Sequence, residues 1–169
     1  SLQKDKNFNL EGKNFLIIGS GGASLGIIAE LKKYKIKKIQ ICNRTKKNAE
    51  KILSLFNSKI FPIEIIEWNN ILPSKDIDII VNTSSFGMDH DECINIDFSY
   101  LKKKTLIYDI IYNPSETELL KRARNKGFQT INGMDMLLRQ ASISFKLWFG
   151  IEVDKFNLIS AKNKLITND

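Results

Sequence analysis

The run Asn14-Phe-Leu-Ile-Ile18 is almost wholly apolar and stops at Gly19-Ser20-Gly21-Gly22-Ala23-Ser24. Leu25, Ile28, Ala29 and Leu31 follow at helical spacing. No other feature restricts the fold as strongly. A short strand that is apolar at consecutive positions belongs in a sheet covered on both faces, and such sheets are parallel. A glycine-rich turn leading from that strand directly into a helix is the opening of a crossover unit.

The alternation continues along the chain. Lys38–Cys42 reads as a second strand, and Lys46–Phe56 as a helix with Ala49, Ile52, Leu53 and Phe56 on one face and Thr45 at its N-cap. Strands are expected at 60–66, 76–81, 105–108 and 128–131, and helices at 22–34, 117–126 (closed by Gly127) and 134–149. In the last helix Leu137, Ala141, Phe145 and Trp148 keep helical spacing and are expected in the core. Both ends are polar. Residues 155–169 carry a weak helical pattern, and both termini are expected to pack against something else or to fray. The whole predicts one α/β domain over 1–169, a doubly wound parallel sheet of about six strands with the Rossmann-like, dinucleotide-binding architecture.

Composition narrows the function. Lys and Arg number 26 against 19 Asp and Glu, giving a formal net charge of +7. Only Arg44, Arg122, Arg124 and Arg139 are arginines, and the lysines lie in scattered short clusters (Lys32-Lys33, Lys37-Lys38, Lys102 to Lys104). These are solvated faces, so no nucleic-acid partner is expected. No apolar run approaches the about 18 residues of a membrane helix, and no membrane association is expected. Two cysteines, Cys42 and Cys93, make no disulfide framework and fit a reducing, cytoplasmic compartment.

Three motifs carry chemistry. The turn Gly19 to Ser24 follows a strand and opens a helix, where Gly19 permits the tight turn and Gly21 and Gly22 let a pyrophosphate approach the backbone. After the second strand, an NAD site would carry an acid for the ribose 2′-hydroxyl. This chain has Asn43-Arg44-Thr45-Lys46-Lys47, and a guanidinium there can fork onto a 2′-phosphate. Two charge-assisted hydrogen bonds would favour NADP over NAD by at least about a hundredfold. Third, Asn82-Thr-Ser-Ser-Phe-Gly87 lies at the carboxyl end of the fourth strand, where small hydroxyl residues let a cofactor pass close to the backbone. Elsewhere, His90 in Asp89-His-Asp-Glu92 reads as a solvated loop residue, and with Cys93 it makes no metal set. Asp109 ends a strand and could orient a ligand or serve the fold.

From about residue 10 to 150 the sequence resembles the C-terminal, NADP-binding domain of shikimate dehydrogenase. The resemblance rests on the three motifs above and on Tyr112-Asn-Pro114 with Thr117 and Leu119-Leu120. It rests most specifically on Gly133-Met-Asp-Met-Leu-Leu-Arg-Gln140-Ala141 with Phe145, Trp148 and Gly150. The first two motifs also occur in other NADP proteins, such as the nucleotide domain of glutamyl-tRNA reductase. The resemblance implies that Gly19, Ser20, Gly21, Gly22 and Ala23 hold the pyrophosphate, and Asn43, Arg44, Thr45 and Lys46 the 2′-phosphate end. It implies Thr83 and Ser84 along the cofactor, Ile110 and Gly133 near the nicotinamide, and Tyr112 and Gln140 on the shikimate hydroxyls. Leu25 departs from the family's usual basic residue after the glycine turn. The family's catalytic Lys and Asp lie in an N-terminal substrate domain, which the resemblance implies is absent from 1–169, leaving no catalytic residue here. The reaction implied is reduction of 3-dehydroshikimate to shikimate with NADPH in aromatic amino acid biosynthesis, with the chain alone inactive. The alternative is a stand-alone NADP-binding regulatory or partner module.

Overall fold

The computed structural model describes residues 8–69, 71–89 and 93–166. In chain order the elements are β1 (Asn14–Ile18), α1 (Gly22–Leu31), β2 (Lys38–Cys42), α2 (Lys46–Phe56), β3 (Ile63–Ile66) and β4 (Ile79–Asn82). They continue as β5 (Leu106–Asp109), α3 (Glu118–Asn125), β6 (Gln129–Ile131), α4 (Met134–Phe149) and α5 (Lys155–Ile166). The strands form one sheet in the order β3-β2-β1-β4-β5-β6. Every pairing is parallel, with Phe15 opposite both Ile39 and Ile79. This is the doubly wound arrangement expected from the alternation, and its strand order reverses beside β1.

Period-two alternation divides the core into two layers. Phe15, Ile17, Ile39, Ile41, Ile79 and Val81 face α1 and α2, packing on Ile28, Leu31, Ala49 and Ile52. Leu16, Ile18, Ile80 and Ile107 face the other way, onto Leu119, Leu120 and Ala123 of α3. That second face has fewer helices. The crossovers 67–78 and 83–105 cover it with Ile71, Ile94, Ile96, Phe98 and Leu101, all buried. Gln40, a buried amide on this face, is satisfied: it donates to Ser74 Oγ at 2.7 Å and accepts from Ser74 N at 3.0 Å.

Four of the expected elements have the expected bounds, and the other six differ by one to three residues at one or both ends, most at the starts of β3 and β4 and the end of α1. The strand expected at 60–66 begins at Ile63, because Ser58 and Phe61 bond each other across a tight turn and Ile60 is 90% exposed. Pro62 has no N–H to give the ladder. The strand expected at 76–81 begins at Ile79, since Asp76 and Asp78 are engaged by the Asn14 side chain and backbone. Thr45 occupies the N-cap of α2, but its side chain makes no capping bond.

The expected core role of α4 needs correction. Met134 and Leu138 are buried and Leu137 is half-buried, but Ala141 is exposed, Phe145 is 40% exposed and Trp148 76%. A sixteen-residue helix is about 24 Å long, whereas the three-residue β6 extends about 10 Å. The sheet ends before the helix does. What lies along α4 is α5, running back antiparallel and tied by Lys162 to Asp135 at 2.6 Å. Residues 155–166 are therefore helical, while 1–7 and 167–169 lie outside the described residues.

At the carboxyl end of the sheet a buried polar cluster takes the place of apolar packing. Asp109 Oδ1 accepts from Asn82 Nδ2 at 3.0 Å and from Ile111 N at 3.1 Å, and Oδ2 accepts from Thr117 Oγ1 at 2.8 Å. Asn82 and Asp109 are fully buried, and Thr117 is 1% exposed. Burial raises the Asp109 carboxyl above the ordinary carboxylate range, against the opposing pull of its three hydrogen bonds. The folded chain therefore holds this proton to higher pH than the unfolded chain does. The resulting stability is complete below about pH 4 and is lost as pH rises through the folded value. Asp109→Asn should abolish that decline, so that urea-unfolding curves for the two proteins converge at acid pH and separate above it; parallel curves would refute the assignment. Asp109→Ala, which strands three donors, should cost about 3 kcal/mol at acid pH and less as pH rises, because the native chain itself loses stability there.

Candidate functional site

The site begins where β1 ends. Gly19 has φ +105, and a Cβ there would lie 2.7 Å from Thr83 Oγ1 and 3.0 Å from the backbone N of Ser84. Its own N–H donates to Cys42 O at 2.8 Å. Thr83 donates to Ile18 O through both its N–H and its hydroxyl, each at 2.7 Å. The ends of β1, β2 and β4 are thus drawn together around a residue without a side chain. Beneath them, burial with the added influence of Glu67 pushes the Cys42 thiol up to about 12, so it stays protonated at neutral pH.

Beyond Gly19 the turn is open. A Cβ on Gly21 or Gly22 would meet nothing within 4 Å, so no packing demand of the chain requires glycine at either place. α1 has no side-chain cap and no acid in its first turn. Its first helical bond is Leu25 N to Gly21 O at 3.1 Å, which leaves the N–H groups of Gly22, Ala23 and Ser24 without partners among the described residues. Ser24 is buried and donates to Gly21 O at 2.7 Å, which secures the turn from below. Leu25, noted above as a departure from a basic residue, is half-buried against the first core layer and makes an apolar contact.

Gly19, Ser20, Gly21, Asn43, Arg44, Thr45, Thr83 and Ser84 line one cleft of about 300 Å³. It sits at the carboxyl ends of β1, β2 and β4, the switch point where this architecture binds ligands. Asn43 Nδ2 donates to Thr45 O at 2.8 Å and shapes the turn that carries Arg44. Arg44 is exposed and makes no ion pair or hydrogen bond among the described residues. Lys46 lines an adjoining hollow of about 80 Å³ with Asn43 and Arg44, and approaches Glu67 at 3.9 Å. Ser84 donates to Asn82 Oδ1 at 2.7 Å and accepts from Phe86 N at 3.3 Å, so one lone pair of its oxygen is what remains for a ligand.

The other expected residues lie elsewhere. Ile110 is half-buried on the first core layer. Gly133, at the N-cap of α4, lies against it so closely that a Cβ would fall 1.7 Å from Ile110 O. Tyr112 is 40% exposed in the loop after β5. Gln140 is exposed on α4 and lines a separate hollow of about 300 Å³ with Met136, Arg139, Ile143 and Ser144. Asp109 is wholly engaged in the buried cluster, the structural of its two expected roles. His90 falls outside the described residues. Sequence reasoning did not single out Asn48, Trp68, Ser85 and Phe86 as lining residues. Phe86 lay inside a recognised motif, but nothing local marked Trp68.

Comparison with known proteins accords with this geometry. The family model described as shikimate / quinate 5-dehydrogenase matches residues 1–134. A shikimate dehydrogenase (NADP(+)) of Pelagibacter ubique is 41% identical over 157 residues, covering 91% of this chain and 56% of that protein. One from Nitrosopumilus maritimus is 37% identical over 150 residues, 88% of this chain and 55% of that protein. The chain spans about half the length of the curated relatives it matches. Among solved structures, the ligand-free 5-ketofructose reductase of Gluconobacter sp. strain CHM43 aligns with TM-score 0.83 and 30% identity, over 95% of this chain and 59% of that one. A shikimate dehydrogenase in complex with NADP+ aligns with TM-score 0.76 and 29% identity, over 99% and 58%. With the sheet order, the glycine turn and these matches in agreement, the chain belongs to the shikimate / quinate dehydrogenase family.

Proposed function

We propose that residues 1–169 form the NADP-binding half of a shikimate dehydrogenase, an oxidoreductase that interconverts 3-dehydroshikimate and shikimate in aromatic amino acid biosynthesis. One observation carries the reading: an uncapped helix N-terminus and an unneutralised arginine face one cleft, with no carboxylate in its lining. The open space at Gly21 and Gly22 fits a group that must touch backbone.

The unpartnered N–H groups of α1 would receive the pyrophosphate, helped by the positive end of the helix dipole. Asn43, Arg44, Thr45 and Lys46 would hold the 2′-phosphate, with Arg44 supplying the planar fork. Thr83 has committed its hydroxyl proton to Ile18 O, so it can only accept from the ribose–nicotinamide half that passes it. Ile110 and Gly133 would flank the nicotinamide, and Tyr112 and Gln140 would reach the substrate's hydroxyls. The bound nucleotide supplies hydride chemistry. Reducing a ketone also needs a group that delivers a proton to its oxygen. The cleft lining offers glycine, hydroxyl, amide, aromatic and guanidinium groups, none of which suits that task. In this reading a substrate domain of the whole enzyme supplies it.

By calorimetry NADP should bind at least about tenfold more tightly than NAD, given two charge-assisted bonds to the extra phosphate. Arg44→Ala should remove that preference and leave NAD affinity nearly unchanged; an equal loss for both nucleotides would assign Arg44 to folding. Gly21→Ala should keep the native urea midpoint yet weaken NADP at least about tenfold, because its methyl group occupies the anion's approach. Gly19→Ala should instead lower stability by about 2 kcal/mol or more, through its positive φ and the Thr83 clash. A Gly21→Ala protein that binds normally would remove the pyrophosphate from this turn. Shikimate mixed with NADP should give no turnover with this chain. Measurable turnover would place the proton-transfer group inside it, and equal affinity for the two nucleotides would remove the 2′-phosphate assignment.

A further inference from the structure

Arg44, Trp68 and Phe86 come from loops after three different strands, β2, β3 and β4, and meet at one lip of the cleft. The Arg44 guanidinium carbon lies 5.3 Å from the centroid of the Phe86 ring. The Trp68 ring meets the Phe86 ring edge-on, with centroids 5.0 Å apart and planes inclined at 61°. We propose that Phe86, backed by Trp68, is a positioning residue for Arg44 and thereby sets the strength of discrimination between NADP and NAD. This rests on the dinucleotide reading above.

The two partners are held very differently. Phe86 is fixed from every side. Its N–H donates to Ser84 Oγ at 3.3 Å, and its carbonyl accepts from Asn82 Nδ2 at 3.2 Å. Asn82 is itself fully buried and bonded to Asp109. Gly87, the next residue, turns the chain at φ +101. Both aromatic rings rest on the second core layer. Arg44 has no such anchorage. It is exposed on a turn, and the Phe86 ring is the single partner found for its guanidinium among the described residues. A long side chain in that position samples many rotamers, and binding a phosphate must then suppress them.

The chemistry of the contact suits the task. The ring attracts the cation through the negative face of its quadrupole. A ring carries neither a charge nor a carboxylate oxygen to occupy the N–H fork, which stays available for a bidentate acceptor. A carboxylate partner would fix the arginine equally well, but would occupy that fork and cancel its charge. The nearby acid, Glu67, approaches Lys46 at 3.9 Å instead. Phe86 therefore orders Arg44 before binding without consuming the groups that bind.

The test is calorimetric titration of the full chain with NADP and with NAD, in the native protein and in Phe86→Leu, Phe86→Tyr, Arg44→Ala and Phe86→Leu/Arg44→Ala. Phe86→Leu should weaken NADP about threefold to tenfold and leave NAD unchanged, because the arginine must then be ordered during binding. Phe86→Tyr, which keeps the ring face, should bind as the native chain does. In the Arg44→Ala background the Phe86→Leu change should have no further effect. A preference for NADP that is undiminished in Phe86→Leu would overturn the positioning role alone. So would equal losses for both nucleotides, or a loss that persists without Arg44, either of which would make Phe86 a direct contact or a folding residue. Equal native affinity for the two nucleotides would instead overturn the 2′-phosphate reading, and absence of binding by either would overturn the dinucleotide reading, and this inference with it.

Discussion

A missing side chain at Gly19 governs the centre of the molecule. Because nothing projects from it, Thr83 can bond Ile18 O through both donors while the Gly19 N–H reaches Cys42 O. Three strand ends converge at one point, and the chain leaves that point directly into α1. A similar economy recurs at Gly133, where α4 begins against the carbonyl of Ile110. Both are close backbone approaches at the carboxyl edge of the sheet.

Around that edge the polar groups divide into two kinds. Asn82, Asp109 and Thr117 are buried and spend their hydrogen-bonding capacity on one another and on the loop backbone. The α1 N–H groups and the Arg44 fork remain free among the described residues. The first set holds the loop after β4 in shape. The second set is what an anionic guest can use, since a donor already satisfied within the protein gains little by changing partner. The loop 82–87 joins the two sets, with its amide ends in the buried cluster and the Phe86 ring at the cleft.

Much of this was legible in the sequence, for definite reasons. Continuous apolar runs specified a two-sided parallel sheet, and the placement of Gly19 to Ser24 between strand and helix located the cleft. Arg44 was legible because an acid is conspicuous by its replacement at one position. The contribution of Trp68 was not legible, because its tie to residues 44 and 86 exists only through space. The second half of α4 misled for another reason. Periodicity says which residues of a helix share a face, but not whether a neighbour covers that face. Phe145 and Trp148 have the spacing of core residues and lie where the sheet has already ended. The onset of β3 was blurred because Ile60 is apolar yet projects outward from a turn.

The wiring of the sheet bears on how the molecule assembles. β1, β2 and β3 are successive in the chain and adjacent in space, each joined by one compact crossover. The β1–β4 seam is different: Ile18 and Thr83, which meet across it, are 65 residues apart. Closing so distant a junction carries a larger entropic penalty and delays the parallel pairing that depends on it. The cleft straddles this junction. A partly assembled chain can therefore hold a three-stranded half-sheet with its helices in place and still possess no cleft, because the cleft needs that distant junction closed.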